Sequence, residues 1–392
     1  EHSRTGENDG ANTNASLALG ANLGDGRGNV AMVMNYTKRE GVQFGARPYG
    51  AVGVSSASGA GLGVAIPAPV ANCGGTNTVP TTFGGSGTTL PSRIIMPAFD
   101  PDGAGPLPAV SGARQFREDG TLGPNCNQFN FNPYNYYQTP QERYSGMAYG
   151  YYRVTDNIEA YGRINFSSIN VRQQIAPSGI FNTPLVVPLQ NPFLSAAARA
   201  NIIAQFEGAR AANALTLTGA SQNWYDINRN GVVDAADSVR FAVGRRTVEF
   251  GERSTTYDNN SFQVLLGLRG EIGEDFNWDI ALAHGESDRT NISAGYTNVE
   301  NVRAAVNTIS ATTCTPPAGG PTEGTRTATC VPINLFGVEG SITPAMAAYS
   351  AATALEQQNY RQTIASASFS GALREAKSPW AEEPLAFSIG AE

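Results

Sequence analysis

The stretch SFQVLLGLRGEIGEDFNWDIAL, residues 261–282, reads as two strands folded back on each other. Phe262, Val264, Leu266, Leu268 and Ile272 share one side of a two-residue repeat, and Gln263, Arg269 and Glu271 share the other. Gly273-Glu274-Asp275 supplies a tight polar turn, after which Trp278, Ile280 and Leu282 resume the alternation. A period of two with one wholly apolar face predicts an antiparallel hairpin whose two faces meet different surroundings.

Three further hairpins follow the same rule. Residues 15–23 and 29–38 flank Gly24-Asp25-Gly26-Arg27-Gly28, with Leu17, Leu19, Ala21 and Leu23 on one arm and Val30, Met32, Met34 and Tyr36 on the other. Residues 142–154 and 157–173 turn at Thr155-Asp156-Asn157; Ile158, Ala160, Ile164 and Phe166 keep one phase, which moves to Ile169 and Val171 beyond Ser167 and so predicts a bulge there. In the last pair Ala365, Ala367, Phe369 and Leu373 alternate with serines, a turn occupies 375–384, and Leu385, Phe387, Ile389 and Ala391 follow. The pairs are separated by long segments, about 39–141, 174–257 and 297–356. Short turns at one edge and long loops at the other are the layout of outer-membrane barrels.

Composition agrees. Only 15% of the 392 residues are charged, against 41% hydrophobic, a low share of charge for a water-soluble chain of this size. No window approaches the ~18 consecutive apolar residues of a spanning helix. Strands closed into a barrel are the other structure that satisfies every backbone group in lipid. A soluble sandwich would alternate similarly, but its loops are short. Tyr36, Tyr144, Tyr152, Tyr161 and Trp278 lie near strand ends, where an interfacial aromatic girdle is expected. The expected fold is therefore all-β: an antiparallel transmembrane β-barrel fragment of about eight strands, with long extracellular loops containing short helices. A last strand cut off in mid-alternation would leave an edge that is costly in lipid, which is why a fragment is expected. No leader peptide is recognisable at Glu1, so one is either removed or encoded outside this sequence.

Function classes narrow accordingly. A net charge of −7 leaves no basic surface for phosphates, and nucleic acid is not expected as a partner. Only His2 and His284 could serve as histidine bases, and no GxSxG, HExxH or P-loop occurs. Gly59-Ala60-Gly61-Leu62-Gly63 lacks the strand-to-helix context of a dinucleotide site. An enzyme is not expected. Arg163, Arg269, Glu271 and Asp279 would face a barrel lumen.

Two long segments carry helical signals. Residues 195–213 place Ala198, Ile202, Phe206 and Ala209 at helical spacing, and 343–356 is Ala-rich behind Thr343-Pro344, with proline suited to a first helical position. Residues 52–140 read as irregular. Cys73, Cys126, Cys314 and Cys330 lie in polar segments, and an even count there predicts disulfides. Three pairings are open; the simplest joins Cys73 to Cys126 and Cys314 to Cys330, the second closing about 15 residues and contributing ~3 kcal/mol in the chain-entropy model.

The sharpest local motif is DINRNGVVDAAD, residues 226–237. Asp226, Asn228 and Asn230 stand at the first, third and fifth positions of an EF-hand-like loop, and Gly231 makes the turn at the sixth. Val232 offers a carbonyl, and Asp234 and Asp237 occupy the ninth and twelfth. Calcium takes six to eight hard oxygens at about 2.3–2.6 Å, and this spacing gathers them around one point. The expected role is a structural Ca2+ that fixes a long extracellular loop beside the Ala-rich helix.

Cys330-Val331-Pro332-Ile333-Asn334-Leu335-Phe336-Gly337, Ser341-Ile342-Thr343-Pro344-Ala345 and the strand from Gln362 to Ala367 together resemble long-loop TonB-dependent receptors of proteobacteria. Arg245-Arg246-Thr247-Val248-Glu249-Phe250-Gly251-Glu252-Arg253, ahead of a long strand at 258–272, adds to the resemblance. It implies a barrel of about 22 strands with a plugged lumen, placed in the cell outer membrane against lipid. It further implies coupling to the TonB-ExbB-ExbD complex through an N-terminal plug that these residues do not contain. The implied function is active import of a bulky scarce extracellular ligand of the siderophore, cobalamin or glycan class; a passive porin or a barrel-anchored adhesin is the alternative.

Overall fold

The computed structural model describes residues 1–24, 26–53, 85–96, 113–124, 128–212 and 215–392, with the backbone of two short strands at 70–71 and 78–79. Eight long strands form its framework: β1 (Asn12–Leu23), β2 (Gly28–Arg39), β3 (Gln141–Arg153), β4 (Ile158–Ile175), β5 (Arg253–Ile272), β6 (Phe276–Thr297), β7 (Ala351–Leu373) and β8 (Leu385–Ala391). They pair antiparallel in chain order, and the two-residue strand His2–Ser3 adds to the outer edge of β1. The sheet is open: β8 and the β1 edge do not pair with each other among the described residues.

The expected alternation is realised in one continuous face. Residues directly opposite across neighbouring strands share a face, and one such row runs Leu23, Gly28, Tyr152, Ala160, Leu268, Ile280, Ala367, Ala391. The large apolar side chains of this face are exposed: Leu19 at 54%, Leu266 at 63%, Ile280 at 55%. No buried apolar residue belongs to any of the eight strands. The two faces of this sheet therefore do not close over a core of their own.

The apolar band runs obliquely to the strands. In β1 it extends from Leu23 in the reference row to Ala15, eight residues toward the long loops. In β5 it extends from Phe262, six residues above Leu268, to Ile272, four below. In β7 it begins at Ala365, two above Ala367, and reaches Leu373, six below. Both margins thus descend by six residues over the six strand-to-strand steps from β1 to β7. One residue of rise, ~3.4 Å, per ~4.8 Å strand spacing corresponds to a band inclined at about 35° to the hydrogen-bonding direction.

In this sheet, the wall of the molecule, glycines make room where aromatic rings lie across neighbouring strands. Gly146 stands opposite Phe166, Gly28 opposite Tyr152 and Gly371 beside Phe276, and an added Cβ at any of the three would enter the ring. Phe276, Phe369 and Phe387 cluster at the short-turn margin, with centroids 5.6–6.2 Å apart. Tyr36 and Tyr144 pair at the opposite margin, 4.9 Å apart.

Three readings of the strands are corrected. The register between β4 and both neighbours is unbroken from Ser167 to Val171, so no bulge occurs; Ile169 and Val171 simply lie on the face opposite to Phe166, beyond the apolar band. Tyr161 pairs with Gly267 on the polar face and donates to Asp279 at 2.8 Å, so it does not join an outer aromatic girdle. Residues 351–356 are strand, not helix: α4 covers only Pro344–Ser350, because Ala351, Ala352 and Ala354 are taken up by pairing with β6, which outweighs the helix propensity of alanine.

The long connections are not independent loops. They fold together at the long-loop edge into a cap with its own core, built around an antiparallel sheet ordered Gly179–Pro188, Ser238–Arg246, Arg93–Ile95, Ala113–Phe116, Leu122–Pro124. The described part of 52–140 is consequently not irregular as its composition suggested. Helix α1 (Ala196–Ala211) is capped by Ser195, whose Oγ accepts from Ala198 N at 3.0 Å, and it buries the expected stripe Ala198, Ile202, Phe206 and Ala209 completely. Helices α2 (Gly219–Tyr225) and α3 (Val299–Val306) complete the layer. Cys314 and Cys330 form a disulfide with Cα atoms 6.0 Å apart, packed at the edge of this core. Cys73, Cys126 and the Gly59–Gly63 string lie outside the described residues.

Candidate functional site

Two constellations in the cap carry chemistry. The first is the loop from Asp226 to Asp237, which begins at the C-terminus of α2. Gly231 adopts φ +84° and Arg229 φ +61°, and this double left-handed excursion folds the loop in on itself. Asp226, only 2% exposed, accepts from Asn230 N at 2.8 Å and Gly231 N at 3.2 Å. Asp237, fully buried, accepts from Ile227 N at 2.6 Å and Asp234 N at 2.8 Å. Asn228 and Asn230 both turn their amide nitrogens to Asp234 Oδ2, at 3.1 and 2.7 Å. Burial pushes the Asp237 carboxyl above its ordinary range, while the N–H of Ala236 holds Asp234 below it.

The sequence motif is thus brought together in space: Asp226, Asn228, Asn230, Asp234 and Asp237 are linked by side-chain hydrogen bonds around one turn, with Val232 exposed beside them. The loop also packs against α1, where Glu207 Oε1 accepts from Val233 N at 2.6 Å. Among the described residues no three Asp, Glu, His or Cys side chains stand close enough to enclose a metal as they are. Three carboxylates, two amides and a carbonyl are nevertheless the oxygen-rich donor set that a hard cation takes, and a half-turn of each amide would present Oδ1 in place of nitrogen.

The second constellation had no signal in sequence spacing. A bulge between Ile180 and Thr183, with Asn182 at φ +47°, throws Phe181 out of the cap sheet, leaving it 49% exposed. The Arg246 guanidinium lies 5.3 Å from the Phe181 ring and 4.7 Å from the Phe129 ring, and Arg253 lies 5.8 Å from Phe181 and 5.8 Å from Tyr296. Phe129 in turn stacks on Tyr134 at 5.6 Å. The result is an alternating ladder of rings and guanidinium groups, Tyr134, Phe129, Arg246, Phe181, Arg253, Tyr296, contributed by five separate segments.

Its position follows from register. Arg253 opens β5 in phase with Gln263 and Arg269, and a register shift between Ser293 and Tyr296, with Gly295 at φ +73°, brings Tyr296 onto that same polar face. The ladder therefore sits where the polar face of the wall meets the cap. Burial and the proximity of Arg253 pull the Arg246 guanidinium down to about 10. Arg93 reaches the adjoining Asn182 Oδ1 at 3.0 Å.

Lower on the same face, Arg153, Glu159, Arg269 and Asp279 form one cross-strand row of alternating charge. Arg269 Nε donates to Glu159 Oε1 at 2.8 Å, and Arg163 donates to Gln263 at 3.2 Å, while Glu271 is exposed. His284 lies on the apolar face between Val264 and Thr363, with its ring 2.8 Å from Thr363 Oγ1. Compared with known protein families, curated proteins and solved structures, the chain matches none.

Proposed function

We propose that this chain forms part of the wall and the outer cap of a TonB-dependent receptor in the bacterial outer membrane, which imports a bulky, scarce extracellular ligand of the siderophore, cobalamin or glycan class. One observation carries the reading: an exposed, continuous apolar band inclined at about 35° to the strand-pairing direction. A bilayer slab cuts a barrel perpendicular to the barrel axis, so strands tilted by 35–45° must carry their lipid-facing residues in just such an oblique belt. A sheet packed on another protein layer needs no drift of this kind. Aromatic residues at both margins suit the two interfaces. Import, and coupling to TonB-ExbB-ExbD through a plug, rest on the sequence resemblance alone.

Membrane fractionation of the parent protein tests the wall. Recovery with outer membranes after an alkaline carbonate wash is expected; recovery in the soluble fraction ends the reading. A plug with a TonB box in the parent favours import, and a parent that lacks both is a porin or an adhesin. In the cap, the donor set of 226–237 supports a structural Ca2+ that tightens the loop against α1.

A further inference from the structure

We propose that the Arg–aromatic ladder at the junction of cap and wall binds a planar organic anion, an aromatic carboxylate or its phenolate equivalent. The inference rests on the wall reading only in taking the polar face as the inside of the barrel. The guanidinium carbons of Arg246 and Arg253 lie 4.7–5.8 Å from the ring centroids around them, and a ring face satisfies none of the in-plane N–H groups as a carboxylate would. Arg246 is 3% exposed; among the described residues its Nη1 donates to Pro177 O at 2.9 Å and its Nε is buried with no acceptor. The Nε of Arg253 is likewise buried without an acceptor, and among the described residues no carboxylate lies within ion-pair distance of Arg246 or Arg253. Glu252, the neighbour of Arg253, is already held by Arg172 at 2.7 Å on the other face.

Two like charges flanking one ring, Arg246 buried and Arg253 half-buried, with no carboxylate beside either among the described residues, raise the energy of the free site, and an anion arriving there would relieve it. Exposed Phe181 between the two arginines offers a ring face for stacking. A small inorganic anion would use the charge but not the ring, and a neutral aromatic would use the ring but not the charge. A ligand with both gains both.

The test titrates 2-naphthoate into the full chain in detergent micelles and follows its fluorescence anisotropy, with neutral 2-naphthalenemethanol as the matched control. Expected are saturable naphthoate binding at least tenfold tighter than the alcohol, a loss of about tenfold or more in Arg253→Gln, and a comparable loss in Phe181→Ala. Arg253→Lys, which keeps the charge but not the planar fork, should recover part of the binding. Thermal unfolding of each variant checks that the cap remains folded, and Arg163→Gln, far down the wall, should bind as the parent chain does. Equal binding of acid and alcohol, or naphthoate binding unchanged in Arg253→Gln, would reduce the ladder to a clamp holding cap to wall. The titration does not depend on the membrane fractionation, so either reading can fail without the other.

Discussion

At the residue scale, the Asp226–Asp237 loop makes a definite demand. Asp226 and Asp237 are buried with backbone N–H groups as their hydrogen-bond partners, and Asp234 adds a third carboxylate within the same turn. Crowding carboxylates without a cation is unfavourable, so calcium should stabilise the folded loop and its removal should loosen it. In the parent chain, millimolar Ca2+ should slow proteolysis within 213–237 and raise the unfolding temperature of the cap, and a chelator should reverse both. Asp226→Ala should abolish that calcium response. It should also lower stability without calcium by ~1–3 kcal/mol, because the Gly231 N–H loses its acceptor and the Asn230 N–H keeps only Asn228 Oδ1 at 3.2 Å. If parent and variant respond to calcium alike, the loop is a turn and not a cation site.

At the scale of elements, the two faces of a strand should tolerate charge very differently. Leu266 and Leu265 are neighbours on β5, but Leu266 is 63% exposed on the apolar face and Leu265 lies opposite Arg163 on the polar one. If the apolar face meets lipid, Leu266→Lys should cost ~2–4 kcal/mol near the bilayer midplane, and Leu265→Lys much less. Folding yield into lipid vesicles measures the difference; equal yields would mean that the two faces share one environment. The same asymmetry explains what was legible in the sequence. Hairpins were readable wherever one face was apolar, as at 262–282, because alternation then leaves a mark. The outer ends, 253–257, 292–297 and 351–361, were under-read, because beyond the apolar band both faces are largely polar or small and period two becomes invisible. Gly179–Pro188 and Ser238–Arg246 escaped for a different reason: in Leu185–Pro188 and from Phe241 to Arg246 successive positions are all buried, so no alternation of exposure marks them, and in the first strand a bulge at Phe181-Asn182 breaks the phase as well. The helix at 196–211 was legible from its own spacing, and the motif at 226–237 from fixed offsets. The ladder was not, since its members come from 129, 134, 181, 246, 253 and 296 and meet only in the tertiary fold.

At the scale of the molecule, the chain contains two kinds of stability. The cap buries Phe206, Tyr225, Phe241, Ile202 and Ile333 completely and is stapled by Cys314–Cys330, so water itself drives its assembly. The wall buries none of its apolar side chains, and its backbone pairing alone must hold it unless another medium covers the band. In water the band is an exposed apolar patch of the sort that drives association, whereas in detergent or lipid it is solvated. Hydrogen exchange on the full chain should therefore split. In micelles, amides of both β3–β6 and the cap sheet should be protected. After dilution below the critical micelle concentration, protection of β3–β6 should change or the chain should self-associate through the band, while α1 and Ser238–Arg246 keep their protection. Phe206→Ala should reverse the pattern, costing ~3–5 kcal/mol in the cap while leaving the wall protected in micelles. Loss of both regions together on leaving detergent would show that the cap draws its stability from the wall rather than from its own core.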